Sequence, residues 1–245
     1  MKKIVITGAL GYIGTELCKL YSGFSWKYDV VAIDNRFISE RVNELKRRKI
    51  KFVYGDILNL NEIKIYVKQA DIVHHLAGIT DVAYVKKDSN PEQDEKIKKV
   101  AIEGTENVLK SMSDRATIVF PSTHVVFEGL KKPRINIDEN EKTSTFLAYS
   151  SSKVINENQI INSGKRHAIF RLGSVYGFST DTMRMNIMPN LFSRIASQNG
   201  TIKLFGGGVQ LKSLVPIIDV ARCFKFVEEN QKFKSGIYNL TKENT

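Results

Sequence analysis

The chain has 245 residues, a formal net charge of +11 and a hydrophobic content of 42%. This length suits one large domain, or one domain with a small lobe, and the hydrophobic content is sufficient for a core. No apolar segment approaches the ~18 residues of a membrane span. The opening Met-Lys-Lys leads directly into a strand, and the following glycines interrupt any signal-like apolar run. We therefore expect a cytoplasmic protein without a membrane partner.

The basic residues are scattered along the chain, with short clusters at residues 46–49 and 96–99. No aromatic residues alternate with these clusters in a nucleic-acid-binding pattern, so we expect solvated faces that attract anionic ligands at long range, and no nucleic-acid partner. Cys18 and Cys223 match no metal-ligand spacing. His74 and His75 stand on a predicted strand without a second ligand cluster, which favours core packing and predicts no metal site.

The first elements form a strand, a glycine-rich turn and a helix. Residues 3–6 are rich in β-branched types, Gly8, Gly11 and Gly14 follow at a three-residue spacing, and Tyr12 to Tyr21 shows helical periodicity. Such a turn can hold a pyrophosphate, because Gly8 permits the tight turn, Gly11 permits close approach of the backbone, and Gly14 permits close packing of helix on strand. This pattern predicts a dinucleotide-binding turn.

An acidic residue supports the same prediction. The second strand, Asp29 to Ile33, is followed by Asp34, which lies 20 residues after Gly14. A ribose-binding carboxylate is expected at this distance. A 2′-phosphate would meet this carboxylate, so the position favours NAD over NADP, although Arg36 nearby acts in the opposite direction.

Strands and helices alternate along the chain, which predicts a doubly wound α/β fold with a parallel sheet and ligands at the carboxyl ends of its strands. Asp56, after the third strand, could bind an adenine amino group. Alternatively it could form a turn or cap the next helix, as Asn61 could. Asp219 is predicted to cap a later helix. The remaining predicted strands are 51–54, 71–78 (with its C-terminal turn), 117–120, 167–172 and 237–240. The remaining predicted helices are a basic stretch after Asp34 to Lys49, 63–67, 96–112, 149–161, 187–196 and 219–229.

A candidate catalytic pair stands on the helix that begins near residue 149. Tyr149 and Lys153 lie four residues apart and so share one helix face, and Thr123 (or Ser122) ends the preceding strand. A lysine ammonium and a positively charged nicotinamide ring would favour the phenolate of Tyr149, which could then remove a proton from a sugar hydroxyl while hydride leaves the carbon. Thr123 would hydrogen-bond the same oxygen.

These motifs together resemble the extended short-chain dehydrogenase/reductases, specifically the NAD-dependent epimerase/dehydratase family of nucleotide-sugar enzymes, such as UDP-glucose 4-epimerases. The resemblance covers nearly the whole chain. The segments that carry it are 7–14, Asp34, 55–57, 75–78, 104–109, the Tyr149 and Lys153 pair, 171–177 and 215–221.

The resemblance implies an NAD-binding Rossmann domain at 1–173, completed by a helix and strand at 219–241, and a partial, C-terminally incomplete substrate lobe at 174–218. It implies a nucleotide-sugar substrate, a homodimer formed by the two long helices, and Tyr149 as catalytic base with Lys153 and Thr123. The implied cofactor residues are Gly8, Gly11, Tyr12, Ile13, Gly14, Asp34, Asn35, Asp56, Ile57, Leu76, Ala77, Gly78, Tyr149 and Lys153. The implied substrate residues are Thr80, Ser122, His124, Ser174 and Lys212.

Several positions depart from the family pattern. Dehydratases carry Asp-Glu directly after the Thr, where this chain has His124 and Val125, so sugar 4,6-dehydration is not expected. The segment Ser122 to Gly129 instead resembles 4-keto-sugar reductases. The family's usual Asn residues are replaced by Ala101 and Ser174. Three further departures are Thr80 in place of a common lysine, Lys212 in place of a phosphate-binding arginine, and the end of the chain at Thr245, before members normally end.

Three functions follow from these residues. The leading prediction is epimerisation at C4 of a nucleotide-linked sugar through a transient ketone. A reductase or dehydrogenase of a keto-sugar is the alternative among enzymes. A binding module that keeps the fold and has lost the chemistry is the alternative from another class, consistent with Ala101, Thr80 and Ser174.

Overall fold

A computed structural model describes residues 1–80, 89–132, 134–179, 182–208, 212–230 and 232–242. The loop predicted at 80–90 therefore falls mostly outside the described residues. Within the described part of the chain, no helix is long and apolar enough to cross a membrane.

The centre of the fold is a sheet of seven parallel strands, which confirms the predicted doubly wound α/β class. The strands run in the order β3-β2-β1-β4-β5-β6-β9. Their bounds are β1 Lys2–Thr7, β2 Tyr28–Asp34, β3 Lys51–Tyr54, β4 Ile72–His75, β5 Thr117–Thr123, β6 Arg166–Leu172 and β9 Gly236–Leu240. The order reverses between β1 and β4, and ligands in such sheets bind at this switch point, beyond the carboxyl ends of the strands.

Helices cover both faces of the sheet. Their bounds are α1 Tyr12–Ser22, α2 Ser39–Arg47, α3 Leu60–Val67, α4 Pro91–Ser111, α5 Ala148–Asn162, α6 Met188–Ser197 and α7 Ile217–Glu229. Alternate residues of β1 enter two separate cores, because side chains along a strand point to opposite faces. Ile4 and Ile6 pack with residues of α1, α2 and α7. Val5 packs with residues of α3, α4 and α5.

The residues that cap the N-termini of α3 and α7 differ from the sequence predictions. The cap of α3 is Asn59, whose side chain accepts from the amide of Asn61, and neither Asn61 nor Asp56 has this role. Asp219 lies inside the first turn of α7, which starts two residues earlier, after an extended Pro216. Both predictions were wrong because the apolar pattern places a helix face without fixing its first residue.

A second, two-stranded parallel sheet lies outside the first. It pairs β7, Ser174–Tyr176, with β8, Leu214–Pro216. Two short 3₁₀ helices, His124–Phe127 and Phe205–Gly208, complete the elements of the described residues. His74 and His75 are fully buried in β4, as predicted for core residues.

Candidate active site

The turn between β1 and α1 requires glycine at two positions. Gly8 has φ +67°, and a Cβ there would lie 2.7 Å from the backbone nitrogen of Ala77. A Cβ on Gly14 would lie 2.5 Å from the carbonyl oxygen of Gly8. Gly11 precedes α1 as its N-cap, without a side-chain hydrogen bond to the first helical amides. Tyr12 and Ile13 begin the helix, and the turn therefore fits the pyrophosphate of a dinucleotide.

Asp34 lies at the carboxyl end of β2, next to this turn. Its carboxylate accepts hydrogen bonds from the amide of Leu10 at 3.0 Å and from the amide of Arg36 at 3.0 Å. The Arg36 guanidinium forms an ion pair with the same carboxylate at 3.1 Å. Arg41 donates to the carbonyl of Leu10 at 2.7 Å. Asp34 is thus fixed at the turn, at the position where the sequence predicts a ribose-binding carboxylate.

The carboxyl ends of β2 and β3 bring three more predicted cofactor residues to the same edge. Asn35 donates to the Asp56 carboxylate at 3.0 Å, and the other oxygen of Asp56 accepts from the amide of Leu58 at 2.8 Å. Ile57 is buried against α4 where Gly104 leaves room, since a Cβ on Gly104 would lie 2.3 Å from Ile57 Cδ1. These contacts hold the turn after β3 beside Asp34.

A chain of hydrogen bonds supports the predicted cofactor residues 76–78 at the end of β4. The amide of Ala77 donates to Thr7 Oγ1 at 3.3 Å, Thr7 Oγ1 lies 2.9 Å from His75 Nδ1, and His75 Nε2 lies 3.0 Å from Thr105 Oγ1. Burial, together with the nearby Lys153 charge, lowers the pKa of His75 to about 3. His75 is therefore neutral and links β1, β4 and α4. Thr7 and Thr105 were not predicted as site residues, because their role depends on contacts between distant segments.

Tyr149 and Lys153 occupy the first turns of α5 and share one face of it, as their spacing predicts. Lys153 Nζ lies 5.8 Å from the centre of the Tyr149 ring and 4.4 Å from the centre of the Phe120 ring. It donates to the carbonyl of Pro121 at 2.8 Å. Burial lowers the pKa of Lys153 to about 8, while the Glu157 carboxylate acts in the opposite direction. The ammonium still predominates at neutral pH.

Thr123 and Ser122 follow each other at the end of β5, but their hydroxyl groups have different partners. Thr123 Oγ1 accepts from the amide of Val125 at 3.3 Å and so caps the 3₁₀ helix. The Ser122 hydroxyl donates to Glu157, which also binds Arg171 through two hydrogen bonds of 3.1 and 2.8 Å. The structure thus places Ser122 in a buried polar cluster and Thr123 at the helix that follows the strand.

Two predicted substrate residues, His124 and Lys212, come close enough to interact. His124 Nδ1 lies 2.9 Å from the carbonyl oxygen of Leu172. Burial lowers the pKa of His124, the Leu172 carbonyl acts in the opposite direction, and the Lys212 charge lowers it further. The hydrogen bond ties the residue after β5 to the end of β6.

The two remaining predicted substrate residues lie on separate segments. Ser174 opens β7, and its amide donates to the carbonyl of Ser213 at 2.7 Å. Thr80 is exposed after β4, and its carbonyl accepts from the Arg184 guanidinium at 3.0 Å. This contact joins the main sheet to the segment before α6. No sequence motif marks Arg184, which was not predicted as a site residue.

Comparison with known proteins gives a family for this fold and site. The profile of the NAD dependent epimerase/dehydratase family matches residues 4–241. The chain belongs to this family. Membership confirms the predicted resemblance and identifies NAD as the cofactor.

Several proteins are similar to this epimerase/dehydratase chain. The "Putative UDP-glucose 4-epimerase" of Methanocaldococcus jannaschii is 30% identical over 227 residues, which cover 89% of this chain and 71% of that protein. UDP-N-acetyl-alpha-D-glucosaminuronate decarboxylase of Bacillus cytotoxicus is 24% identical over 252 residues, with coverage of 99% and 75%. UDP-glucuronic acid 4-epimerase of Bacillus cereus, solved with UDP-glucuronic acid and NAD, matches with a TM-score of 0.81 at 24% identity, with coverage of 98% and 77%.

One further residue of this epimerase/dehydratase chain positions the helix that bears Tyr149. Glu128 follows the 3₁₀ helix, and its carboxylate accepts from the amides of Phe146 at 3.2 Å and Leu147 at 3.0 Å and from the Ser150 hydroxyl. It therefore satisfies amides at the start of α5, which has no cap from its own N-cap residue. The carboxylate lies 18 residues before Phe146 in the chain, so no local sequence pattern marks this contact.

Proposed function

We propose that this chain is an NAD-dependent nucleotide-sugar 4-epimerase. The observation that carries the proposal is the placement of Tyr149 and Lys153 on one face of α5, with Lys153 bonded to the Pro121 carbonyl, two residues before Thr123. The glycine turn and Asp34 lie at the carboxyl edge of the same sheet. Family membership supports the reaction class, and the assignment of individual residues is our own.

The proposed NAD site extends along the carboxyl ends of four strands. The turn at Gly8, Gly11 and Gly14 would hold the pyrophosphate, and Asp34 would bind the adenosine ribose. The remaining residues proposed to line the site are Tyr12, Ile13, Asn35, Asp56, Ile57, Leu76, Ala77, Gly78, Tyr149 and Lys153. When bound, NAD supplies the acceptor for a hydride from the sugar carbon and then the donor that returns it.

The side chains of this protein would manage the proton. The Lys153 ammonium favours the phenolate of Tyr149, which accepts the proton of the sugar C4 hydroxyl as the C4–H hydride departs and leaves a C4 ketone. Thr123 would hydrogen-bond the same oxygen and hold it near Tyr149. Tyr149 then returns the proton when hydride is restored to the opposite face of the ketone, which inverts C4 and leaves no net oxidation.

The substrate lobe, defined as residues 174–218, would bind the nucleotide sugar against the main sheet. Lys212 is exposed and carries a charge suited to a phosphate, and His124 lies within its electrostatic range. The "Putative UDP-glucose 4-epimerase" and the UDP-glucuronic acid 4-epimerase support a UDP-sugar as the substrate.

The residue roles can be tested with Tyr149→Phe. This variant keeps the ring and removes the hydroxyl, so we expect turnover to fall by about 10²-fold or more while NAD still binds. Tyr66→Phe, on α3, is the matched control and should retain wild-type turnover. Full activity of Tyr149→Phe would refute Tyr149 as the base. Loss of NAD binding would show that the substitution disturbs the cofactor site instead.

The segment Ser122 to Gly129 supports one alternative, a keto-sugar reductase. Such an enzyme would consume NADH in stoichiometric amounts with a keto-sugar and would give no product from a hydroxyl sugar. An epimerase would interconvert two hydroxyl sugars with no net change in NADH. The two functions are therefore separated by following NADH absorbance and sugar products in the same reaction.

A further inference from the structure

Gly177, the residue after β7, is held from both sides by side chains of other elements. Its amide donates to Asn190 Oδ1 at 3.0 Å, and its carbonyl accepts from the Tyr12 hydroxyl at 2.5 Å. Its φ of +130° is a conformation that residues with a Cβ rarely adopt, and a Cβ would lie 3.0 Å from Ile217 Cγ2. We call Tyr12, Gly177 and Asn190 together the Gly177 bridge.

Asn190 uses both ends of its amide in this bridge. Besides accepting from Gly177, it donates through Nδ2 to the carbonyl of Arg184 at 2.9 Å and to the Tyr12 hydroxyl at 3.4 Å. The side chain is 6% exposed. An aspartate would lack both donors and a leucine would lack the donors and the acceptor, so the contact set is specific to a side-chain amide.

Two further contacts join the same regions. Thr182 Oγ1 lies 3.1 Å from Thr15 Oγ1, and Thr182 also bonds Ser179. The Thr15 hydroxyl also lies within hydrogen-bond distance of the carbonyls of Gly11 and Tyr12, at 3.0 and 3.1 Å. Arg184, whose carbonyl is held by Asn190, reaches the carbonyl of Thr80. The substrate lobe is thus bonded to α1 and to the end of β4.

The bridge connects the two proposed ligand sites. Tyr12 is the first residue of α1 and directly follows Gly11 of the pyrophosphate turn, while Gly177 directly follows β7, which opens with Ser174. A ligand that fixes the turn therefore also fixes Tyr12, and through it the position of Gly177 and β7. Because hydrogen bonds depend on distance and angle, a displacement of one end weakens the bridge.

We propose that Asn190 is a positioning residue that couples NAD binding to nucleotide-sugar binding. This inference rests on the proposed function, because it assigns the second ligand to the substrate lobe. Coupling between two sites is reciprocal, so NAD should tighten binding of the sugar nucleotide by the same factor as the sugar nucleotide tightens binding of NAD. Asn190 itself contacts neither reacting group and acts through Gly177 and Arg184.

The test is a binding cycle on protein stripped of bound nucleotide. The Kd values of UDP-glucose and UDP-glucuronic acid are measured with and without saturating NAD, for the wild type and for Asn190→Ala. For the wild type we expect NAD to tighten binding of at least one of these sugar nucleotides by about 5-fold or more, within the usual range of coupling between sites. In Asn190→Ala the ratio of the sugar-nucleotide Kd without NAD to that with NAD should approach 1.

Two further variants separate coupling from stability. Tyr12→Phe removes the other hydrogen bond to Gly177 and should also reduce the ratio, so the test holds if Asn190→Ala fails to fold. Asn239→Ala is the matched control, because the Asn239 amide donates to the Ile137 carbonyl, outside the bridge. It should keep the wild-type ratio even where it lowers the melting temperature.

The outcomes separate the inference from the proposed function. A wild-type ratio of 1 with measurable sugar binding would overturn the coupling and leave the proposed function intact. An unchanged ratio in both Asn190→Ala and Tyr12→Phe would overturn the role of the bridge. If neither UDP-sugar binds the wild type under any condition, the proposed function fails, and the coupling inference fails with it.

Discussion

His74 lies in the middle of β4 with a polar ring in an apolar core. Its Nε2 lies 2.8 Å from the Tyr21 hydroxyl, and its ring stacks on Phe224 with an interplanar angle of 3°. Nδ1 is the one buried side-chain nitrogen or oxygen without a partner among the residues that the structure describes. Burial lowers the pKa of His74 to about 3. The ring therefore stays neutral, and protonation would place a charge in the core.

This residue predicts a pH dependence of stability. Between pH 6.5 and about 3 the unfolded chain binds a proton at His74 that the folded chain does not, so the free energy of unfolding falls as pH falls through this range. One such proton contributes about 1.4 kcal/mol per pH unit. The free energy of unfolding, measured with urea at several pH values, should depend less steeply on pH for His74→Gln than for the wild type. His167→Gln, at the start of β6, is the control, and equal slopes for wild type and His74→Gln would contradict the prediction.

At the scale of elements, the turn from β1 to α1 leaves no room for a side chain at Gly14. A methyl group there would lie 2.5 Å from the carbonyl oxygen of Gly8 and 2.7 Å from that of Ala9, both backbone atoms that cannot rotate away. Gly14→Ala should therefore push α1 away from the turn and weaken NAD binding at least 10-fold. The measurement is titration with NAD.

A glycine at the other end of the same helix provides the control for this experiment. A Cβ on Gly23 would make an ordinary 3.5 Å contact with the carbonyl of Leu20, and Gly23 has φ −67°. Gly23→Ala should bind NAD like the wild type. Equal NAD affinity in Gly14→Ala and Gly23→Ala would show that the close approach of helix and strand is not needed for the cofactor.

The sequence alone was sufficient to predict the bounds of helices that a local residue pattern marks. α1 was predicted to within one residue at each end, because apolar periodicity marks its buried face. α5 was predicted equally closely, although its buried residues are mostly polar, among them Ser150, Ser152 and Glu157. The start of α4 was placed five residues late. Its first turn is charged and shows no apolar period, although Asn90 caps it and Pro91 occupies its first position.

The candidate site likewise combines residues that local spacing predicts with residues that it does not. The spacing of Tyr149 and Lys153 and of the three glycines is local, and the structure brings these residues to one edge of the sheet. Tyr12 and Gly177 are 165 positions apart, and no propensity or spacing links residues so distant in the chain. The hydrogen bond from Ser122 to Glu157 was not predicted for the same reason, since it depends on how α5 packs on β5.

For the whole molecule, ligand binding must raise the stability of the folded state. NAD at 100 times its Kd should add about 2.7 kcal/mol to the free energy of unfolding and raise the melting temperature accordingly. NADP at the same concentration should give a smaller shift, because its 2′-phosphate would meet the Asp34 carboxylate. Asp34→Ala should reduce the difference between the two cofactors. An equal or larger shift with NADP for the wild type would contradict the role of Asp34.

The central claim is that the assembled site inverts a nucleotide-linked sugar at C4 without net oxidation. The most direct measurement is incubation of the NAD-loaded protein with UDP-glucose or UDP-glucuronic acid, with sugar products resolved by chromatography and NADH followed by absorbance. The proposal predicts a mixture of the substrate and its C4 epimer, with no stoichiometric accumulation of NADH. Stoichiometric NADH formation, or bound NAD and UDP-sugar with no product, would contradict it.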